Sequence, residues 1–212
     1  MEGKRVYLFF NGELEGKSSF FREYMEKNPG DIYCADGGYR HCEILGIKPL
    51  EIWGDMDSVD SSQLEKLQMT DTVLKRFPKD KNFTDGELLL EYACSQGYEE
   101  IYVIGGLGGD RAHELTNLNL LMKYSNLIFL TEEEIIFPVK KQCTIRNRKG
   151  GRVSFIPMSE KVENISLKGF RYPLNGYNLQ KWESICMSNV IEEESCRITF
   201  DKGVLLGILK NR

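Results

Sequence analysis

Short apolar runs alternate with helix-like segments through the first 137 residues, and this alternation constrains the fold more than any other feature. Each run ends in a turn signal, and the runs cover 6–12, 31–38, 50–58, 72–78, 101–106 and 127–137. Segments with helical character lie between several of them, at about 18–28, 60–69, 84–96 and 113–125. Such alternation is typical of an open, mainly parallel sheet with flanking helices, in which ligands bind outside the carboxyl ends of the strands.

The pattern changes after Pro138. Residues 143–174 and 196–212 contain short alternating runs and glycine turns without a helical period, which predicts antiparallel strands in a small sandwich or barrel. We therefore predict an α/β domain at residues 1–138, followed by an all-β sandwich domain at residues 139–212.

Charge and composition argue against several classes of protein. The net charge is −4 and no basic run is present, so we expect no nucleic-acid partner. No segment approaches the roughly 18 apolar residues of a membrane helix, and the N-terminus lacks a signal-peptide core. We therefore expect no membrane partner and a cytoplasmic location. The six cysteines are scattered and the chain has two histidines, which indicates neither a disulfide framework nor a zinc site.

The motif GDMDS at 54–58 places Asp55 and Asp57 one residue apart at the end of an apolar run. Two carboxylates at this spacing are hard oxygen donors that suit Mg²⁺ together with substrate phosphates. Ser58 or Asp60 would also cap the helix expected next. Capping leaves the other two acids unexplained, so a metal site and a purely structural loop both stay open.

Two glycine turns follow other predicted strands. Asp36, Gly37 and Gly38 form either an ordinary turn or one that brings backbone N–H groups close to a phosphate or base. The glycine-rich stretch 105–109 lacks the G-K-[ST] of a P-loop. Arg111 stands where the dinucleotide fingerprint requires Gly or Ala. Both standard phosphate motifs are therefore absent, and a glycine-rich turn between strand and helix remains.

The helix expected at 84–96 begins with a capping signal. Thr84 has capping-box spacing to Glu87, and Asp85 in the first turn complements the helix dipole. The preceding Lys79 and Lys81 also make this helix start suitable for a phosphate, and Asp85 is placed to share a metal ion with the acids of the previous loop.

One further pair completes the set of polar motifs. His113 and Asn117 lie one helical turn apart and share a face, where a structural histidine is an alternative to a catalytic one. Acids, lysines, an arginine and glycine turns thus converge on one sheet edge. This composition matches phosphoryl transfer, which needs a metal, cationic stabilisation and positioning.

The order of these motifs resembles the thiamine pyrophosphokinase family over about residues 5–210. The resemblance is carried by ADGG, GDMDS, KNFTDGE, GGLGG followed by His and Asn, and then GFRYPL and MSN. It implies a nucleotide-binding α/β catalytic domain, a thiamine-binding β-sandwich domain, and a homodimer with its active site at the interface. It also implies transfer of the diphosphate of ATP to the hydroxyl of thiamine, with release of AMP.

The resemblance also implies roles for individual residues. Mg²⁺ would be held by Asp55, Asp57 and Asp85. For the transfer reaction, we further expect Lys81 and Arg111 to contact phosphates. The nucleotide would contact Asp36, Gly37, Gly38, Ser58, Thr84, Gly106, Gly108, Gly109, His113 and Asn117. Thiamine would contact Ser188 and Asn189 near its pyrimidine, and Trp182 would either stack on a thiamine ring or pack in the core or dimer interface.

The chain departs from the family pattern at two places. Asn82 replaces the acid of the usual K-D-x-T-D, and the usual G-G-R-x-D-H has Asp110 at its arginine position and Ala112 at its aspartate position. Arg111 is displaced by one residue. Two alternatives stay open. One is a metal-dependent hydrolase of nucleotides or phosphate esters, in which water takes the place of the acceptor, and the other, which the departures support, is a degenerate relative that binds ATP or thiamine as a sensor.

Overall fold

The computed structural model of the chain describes residues 4–59, 63, 65, 67, 69–78 and 82–211. These residues form two compact units. The first contains the chain up to Leu120 together with Phe129–Glu132, and the second contains Leu121–Ile128 together with the chain from Glu133 onward. The helices that the structure describes include none long and apolar enough to cross a membrane.

The first unit is built on a parallel sheet. Its strands are β1 (Arg5–Phe9), β2 (Asp31–Ala35), β3 (Glu51–Gly54), β4 (Val73–Arg76) and β5 (Glu100–Ile104). Their order is β5-β1-β2-β3-β4, and all four pairings are parallel. The last residue of β1, Phe9, pairs with Cys34 near the end of β2 and with Ile104 at the end of β5. The carboxyl ends of these strands therefore form one aligned edge.

Helices flank this sheet. They are α1 (Ser18–Lys27), α2 (Tyr39–Leu45), α3 (Asp85–Ser95) and α4 (Arg111–Lys123), and a single 3₁₀ turn at Asp36–Gly38 precedes α2. Gln63, Glu65 and Leu67 are also helical. The apolar faces of α1 and α3 are buried through Phe21 and Met25, and through Leu89, Leu90 and Ala93. Their spacing of three or four residues is that of one helix face against a sheet.

The second unit is a sandwich of two antiparallel sheets. After β6 (Leu127–Leu130), its strands are β7 (Glu134–Pro138), β8 (Gln142–Arg146), β9 (Arg152–Pro157), β10 (Lys161–Lys168), β11 (Leu174–Gln180), β12 (Asn189–Val190), β13 (Ser195–Thr199) and β14 (Leu205–Lys210). One sheet has the order β12-β9-β14-β7 and the other β11-β10-β13-β8. Alternate residues such as Val153 and Phe155 are buried in a common core with Ile165 and Leu167, as expected for paired inner faces.

The predicted fold class is confirmed, with two differences in detail. The apolar run 127–137 contains two strands rather than one, because Thr131, Glu132 and Glu133 interrupt it, and β7 pairs antiparallel with β14. Helix α2 was not predicted, because seven residues directly after a glycine turn give too short a window for a helical period.

Candidate active site

Three aspartates converge where β2 and β3 end. Asp36 follows β2 directly, Asp55 and Asp57 follow β3, and the two strands pair in parallel. One carboxylate oxygen from each aspartate lies within 4.8 Å of those of the other two. Neighbouring parallel strands end at the same edge of a sheet, so residues far apart in the chain meet there. We call these three residues the aspartate cluster.

The loop after β3 turns two members of the cluster toward each other. Met56, between them, has a φ of 66° and a side chain that is only 5% exposed. The N–H of Asp57 donates to Oδ1 of Asp55 at 3.1 Å. A left-handed residue other than glycine costs on the order of 1 kcal/mol or more. The anchored Met56 side chain therefore holds a conformation that the chain would otherwise avoid.

Asp36 is the buried member of the cluster, with 6% of its surface exposed. Its Oδ1 accepts the N–H of Gly37 at 2.6 Å, whereas its buried Oδ2 has no hydrogen-bond partner among the described residues. Burial raises the pKa of Asp36, the Gly37 N–H lowers it, and the charges of Asp85 and Asp55 raise it further. A buried carboxylate oxygen without a donor indicates that a cation or another ligand belongs at this place.

Gly54 allows this close approach. A Cβ at this position would lie 2.6 Å from Cγ of Asp36 and 2.8 Å from its Oδ2. Any other residue would therefore displace the carboxylate from the cluster. The glycine that precedes Asp55 in the sequence is thus explained by packing against the carboxylate at the end of the neighbouring strand.

Asp85 and Thr84 lie at the start of α3. Thr84 Oγ1 accepts the N–H of Glu87 at 3.1 Å, which confirms the predicted cap. Asp85 faces the same cleft as the cluster and contributes to the raised pKa of Asp36. It is not one of the three aspartates whose oxygens lie within 4.8 Å of one another. Asp36 takes that third place in the structure, and metal binding by Asp85 stays a prediction.

The cluster opens into a cleft of about 690 Å³ in the first unit. Its walls come from the loop after β1, the turn after β2, the loop after β3, the start of α3 and the glycine-rich turn that leads into α4. Of the residues predicted to contact the nucleotide, those that line this cleft are Asp36, Ser58, Thr84, Gly108, Gly109, His113 and Asn117. The predicted phosphate contact Lys81 and the possible helix cap Asp60 lie outside the described residues.

Three predicted nucleotide contacts do not appear in the cleft wall. A Cβ on Gly37 would meet the Asn11 side chain at 2.3 Å, and one on Gly38 would meet the carbonyl oxygen of Phe9 at 2.2 Å. Gly106 faces the side chains of Val103 and Phe129. These glycines therefore permit tight packing of the loops, and the structure gives no support for direct nucleotide contacts by them.

The start of α4 explains the departure from the family motif. Asp110 Oδ1 accepts the N–H of His113 at 3.0 Å, a capping bond that lowers the pKa of Asp110. The side chain of Arg111 is 76% exposed, and its Nη1 donates to Glu114 at 2.9 Å on the same helix. Arg111 does not line the cleft, so its predicted phosphate contact has no support in the structure.

The predicted pair on α4 has two different environments. Asn117 is buried, and its Nδ2 donates to the carbonyl oxygen of Gly106 at 2.9 Å. This bond ties the helix to the glycine-rich turn, which gives Asn117 a positioning role in the cleft wall. His113 is exposed on that wall, so it is accessible to a ligand and is not a buried structural histidine.

Sequence reasoning missed two residues of α2 that hold the cleft wall. Nη2 of Arg40 donates to the carbonyl oxygens of Asn11 at 2.8 Å and Gly12 at 2.7 Å. His41 is buried, and its Nε2 lies 2.9 Å from the same Gly12 oxygen, so the ring donates from Nε2. Burial lowers the pKa of His41. The sequence gives little signal for them, because α2 is short and follows a 3₁₀ turn directly.

In the second unit, the predicted thiamine contacts have contrasting environments. Asn189 is 1% exposed and holds Tyr172, because its Oδ1 accepts the Tyr172 N–H at 3.0 Å and its Nδ2 donates to the Tyr172 carbonyl at 2.8 Å. Ser188 has a φ of 52°, and its N–H donates to Oγ of Ser154. Trp182 is 76% exposed, so the alternative of a core position is wrong for this residue.

Comparison with known proteins accounts for both units. Residues 21–130 match the family model of the thiamin pyrophosphokinase catalytic domain, and residues 137–205 match that of the thiamin pyrophosphokinase vitamin B1 binding domain. The chain belongs to the thiamine pyrophosphokinase family. The thiamine pyrophosphokinase of Bacillus subtilis is 30% identical over 169 residues, which are 77% of this chain and 79% of the relative.

Solved structures agree with this assignment. The crystal structure of the Bacillus subtilis enzyme has a TM-score of 0.84 and 25% identity, with 98% of this chain and 99% of that chain covered. The thiamin pyrophosphokinase of Geobacillus thermodenitrificans has a TM-score of 0.85 and 26% identity, with 98% of each chain covered. The resemblance found in the sequence motifs is therefore confirmed over nearly the whole chain.

Proposed function

We propose that this chain is a thiamine diphosphokinase that transfers the diphosphate of ATP to the hydroxyl of thiamine, giving thiamine diphosphate and AMP. The single observation that supports it most is the aspartate cluster in an open cleft, at the carboxyl edge of the domain that matches the family's catalytic model. The family assignment favours this reaction over a hydrolase or a sensor.

The donor set fits a divalent cation. Three carboxylate oxygens within 4.8 Å of one another are hard ligands, and the unpartnered Asp36 Oδ2 is a site for a further positive contact. Mg²⁺ would be held by Asp36, Asp55 and Asp57, with Asp85 as a further candidate at the same cleft. A bound Mg²⁺ neutralises charge that develops on the transferred diphosphate.

The reaction exchanges one P–O bond for another. The hydroxyl oxygen of thiamine attacks the β-phosphorus of ATP, the bond from this phosphorus to the α–β bridging oxygen breaks, and AMP leaves with the electron pair. The hydroxyl proton passes to a carboxylate of the cleft or to water. The chain's own contribution is positioning: the loops around Met56 and Asn117 hold the carboxylates and the glycine-rich wall in place before substrate arrives.

We further propose that the chain acts as a homodimer, with the active site at the subunit interface. The second unit supports this, because it exposes the large apolar side chains of Trp182, Ile185, Met187 and Tyr172. Apolar and aromatic surface of this kind is typical of interfaces and ligand sites. Thiamine would stack on Trp182 beside Ser188, while Asn189 holds the adjoining backbone. Action in the cytoplasm stays a prediction.

Incubation with ATP, Mg²⁺ and thiamine tests the reaction. The proposal predicts equal amounts of thiamine diphosphate and AMP, formed only when thiamine is present. Phosphate release without thiamine would instead identify a hydrolase, and saturable binding of either substrate without product would identify a sensor. Asp71→Asn is a suitable control variant, because Asp71 is exposed, pairs with Lys48 and lies outside the cleft.

Mixing an Asp57→Asn protein with a Trp182→Ala protein tests the interface, once each variant alone is found to be nearly inactive. A dimer of one Asp57→Asn subunit and one Trp182→Ala subunit would contain one intact site if each site combines the cleft of one subunit with the sandwich of the other. Random reassociation would then recover about a quarter of the wild-type activity, because half of the dimers are mixed. Failure to recover any activity from verified mixed dimers would contradict a shared site.

A further inference from the structure

The charges of the described residues around the cleft are strongly unbalanced. Among these residues, five aspartates line it: Asp36, Asp55, Asp57, Asp85 and Asp110. In the part of the chain that the structure describes, Arg40 is the only lysine or arginine in the lining. A nucleoside triphosphate carries several negative charges, so it needs cationic groups besides a metal ion to enter such a site.

The guanidinium of Arg40 is held in place by the cleft wall itself. Both of its hydrogen bonds are made by Nη2, to the carbonyl oxygens of Asn11 and Gly12, and these two residues also line the cleft. A guanidinium has five N–H donors, and the two bonds use only those of Nη2. Among the described residues, Nη1 and Nε have no hydrogen-bond partner, and the side chain is exposed.

The backbone anchor gives this arginine a defined orientation. Two carbonyls that accept from one nitrogen fix the plane of the guanidinium, and Nε2 of His41 donates to the same Gly12 oxygen. An arginine whose position is fixed before binding loses less conformational entropy when it contacts phosphate oxygens. Arg111, by contrast, is paired with Glu114 on its own helix and lies outside the lining.

We propose that Arg40 contacts the polyphosphate of the nucleotide substrate through Nη1 and Nε. This rests on the proposed function for the class of ligand, a nucleoside triphosphate, and it assigns to a residue of α2 the phosphate contact that the sequence pattern predicted for Arg111. The bidentate geometry of guanidinium with phosphate oxygens suits the two remaining donor groups.

Equilibrium binding tests the proposal independently of turnover. Calorimetry with Mg²⁺ would compare ATP and AMP on the wild-type protein and on Arg40→Gln, Arg40→Lys and Arg111→Gln. We expect Arg40→Gln to weaken ATP binding by about 10- to 100-fold, as for loss of hydrogen bonds to a charged group. The binding of AMP to Arg40→Gln should weaken by less than about threefold. The ATP affinity of Arg40→Lys should lie between those of Arg40→Gln and the wild type, and the ATP affinity of Arg111→Gln should stay within about twofold of wild type.

The ratio of the two nucleotides separates a phosphate contact from loop support. Equal weakening of ATP and AMP by Arg40→Gln would overturn the proposal, because it would mean that Arg40 only holds the loop of Asn11 and Gly12. The proposal would also be overturned if Arg40→Gln had an unchanged ATP affinity, or if Arg111→Gln lost more ATP affinity than Arg40→Gln. If Arg40→Gln fails to fold, Arg40→Lys is judged by the same ratio.

The outcome is also distinct from failure of the proposed function. Suppose that the wild-type protein forms no thiamine diphosphate, while Arg40→Gln weakens the binding of ATP more than that of AMP. This result would refute the reaction and support the polyphosphate contact. A protein that forms thiamine diphosphate with an unaltered ATP affinity in Arg40→Gln would support the reaction and refute the contact.

Discussion

Buried polar side chains differ in their hydrogen bonding between two regions of the chain. These regions are the sheet edge in the first unit and the segment 182–190 in the second unit. At the sheet edge, Asp36 is buried with one carboxylate oxygen that has no partner among the described residues. In the segment 182–190, Asn189 is equally buried, but its side chain makes three hydrogen bonds to the backbone of Tyr172 and Val190. The large side chains that remain exposed there are apolar, namely Trp182, Ile185 and Met187.

This difference in hydrogen bonding suggests how to distinguish a structural role from a ligand-binding role for a buried polar residue. A buried group whose donors and acceptors are used within the chain stabilises the fold, whereas one with unused capacity is prepared for a ligand. By this criterion, we propose that Asp36 takes part in ligand binding and that Asn189 supports a binding surface.

Asp57→Asn should have the largest effect on turnover. The substitution removes one charge from the aspartate cluster while it keeps the shape of an exposed side chain. We expect the rate of thiamine diphosphate formation to fall by about 10²- to 10³-fold, since charge stabilisation at the transition state is lost. The melting temperature should change little. An undiminished rate, with Asp71→Asn as the control, would remove the cluster from the mechanism.

Asn189→Ala should lower the stability of the protein rather than the rate of the chemical step. It leaves the N–H and carbonyl of Tyr172 without their partner, and we expect a loss of about 2 kcal/mol in the free energy of unfolding of the second unit. Chemical denaturation measures this, and Asn175→Ala, at an exposed position of the same unit, is the matched control. A stable Asn189→Ala protein that has lost thiamine binding would assign Asn189 to direct contact.

Thr84→Ala tests the cap at the start of α3. Removal of Oγ1 deprives the Glu87 N–H of its acceptor, which should cost about 1 kcal/mol of unfolding free energy. Thr84→Ser retains the oxygen and should recover most of this loss. If Thr84→Ala is as stable as the wild-type protein, the capping bond does not contribute to stability, and a phosphate contact becomes the main explanation of this residue.

His41→Asn should have the smallest effect, which is a change in how the unfolding free energy depends on pH. Burial lowers the pKa of His41 in the folded protein, so the unfolded chain takes up a proton at a higher pH than the folded one. The stability of the wild-type protein therefore decreases as the pH falls below the unfolded pKa of about 6.5. Unfolding curves at several pH values should show the wild-type advantage over His41→Asn narrowing as the pH falls. An advantage that widens would contradict the buried neutral ring.

Much of the fold follows from the sequence because its signals are local. The strands β1, β2 and β5 are apolar runs with turn signals, and the Thr84 cap is visible as a spacing of three residues. The motif GDMDS likewise indicated two of the three cluster residues. These features depend on a few neighbouring residues, so no tertiary information is needed to find them.

The remaining features depend on contacts between distant segments. Asp36 joins the cluster because Gly54 lets the two loops approach, and Arg40 lines the cleft because it binds the carbonyls of Asn11 and Gly12. Gly37 and Gly38, for which the sequence predicts ligand contacts, allow the close approach of Asn11 and of the Phe9 carbonyl. Ligand contact by these glycines stays a prediction. Sequence spacing alone does not show which segment a glycine faces.

We propose that carboxylates from the ends of β2 and β3 gather around one divalent ion. A crystal soaked with Mn²⁺ and an unreactive ATP analogue would test this directly by anomalous scattering. We expect one ion about 2.0–2.3 Å from oxygens of Asp36, Asp55 and Asp57, beside the phosphates of the nucleotide. A nucleotide bound in the cleft whose metal ion lies away from all three carboxylates would contradict it.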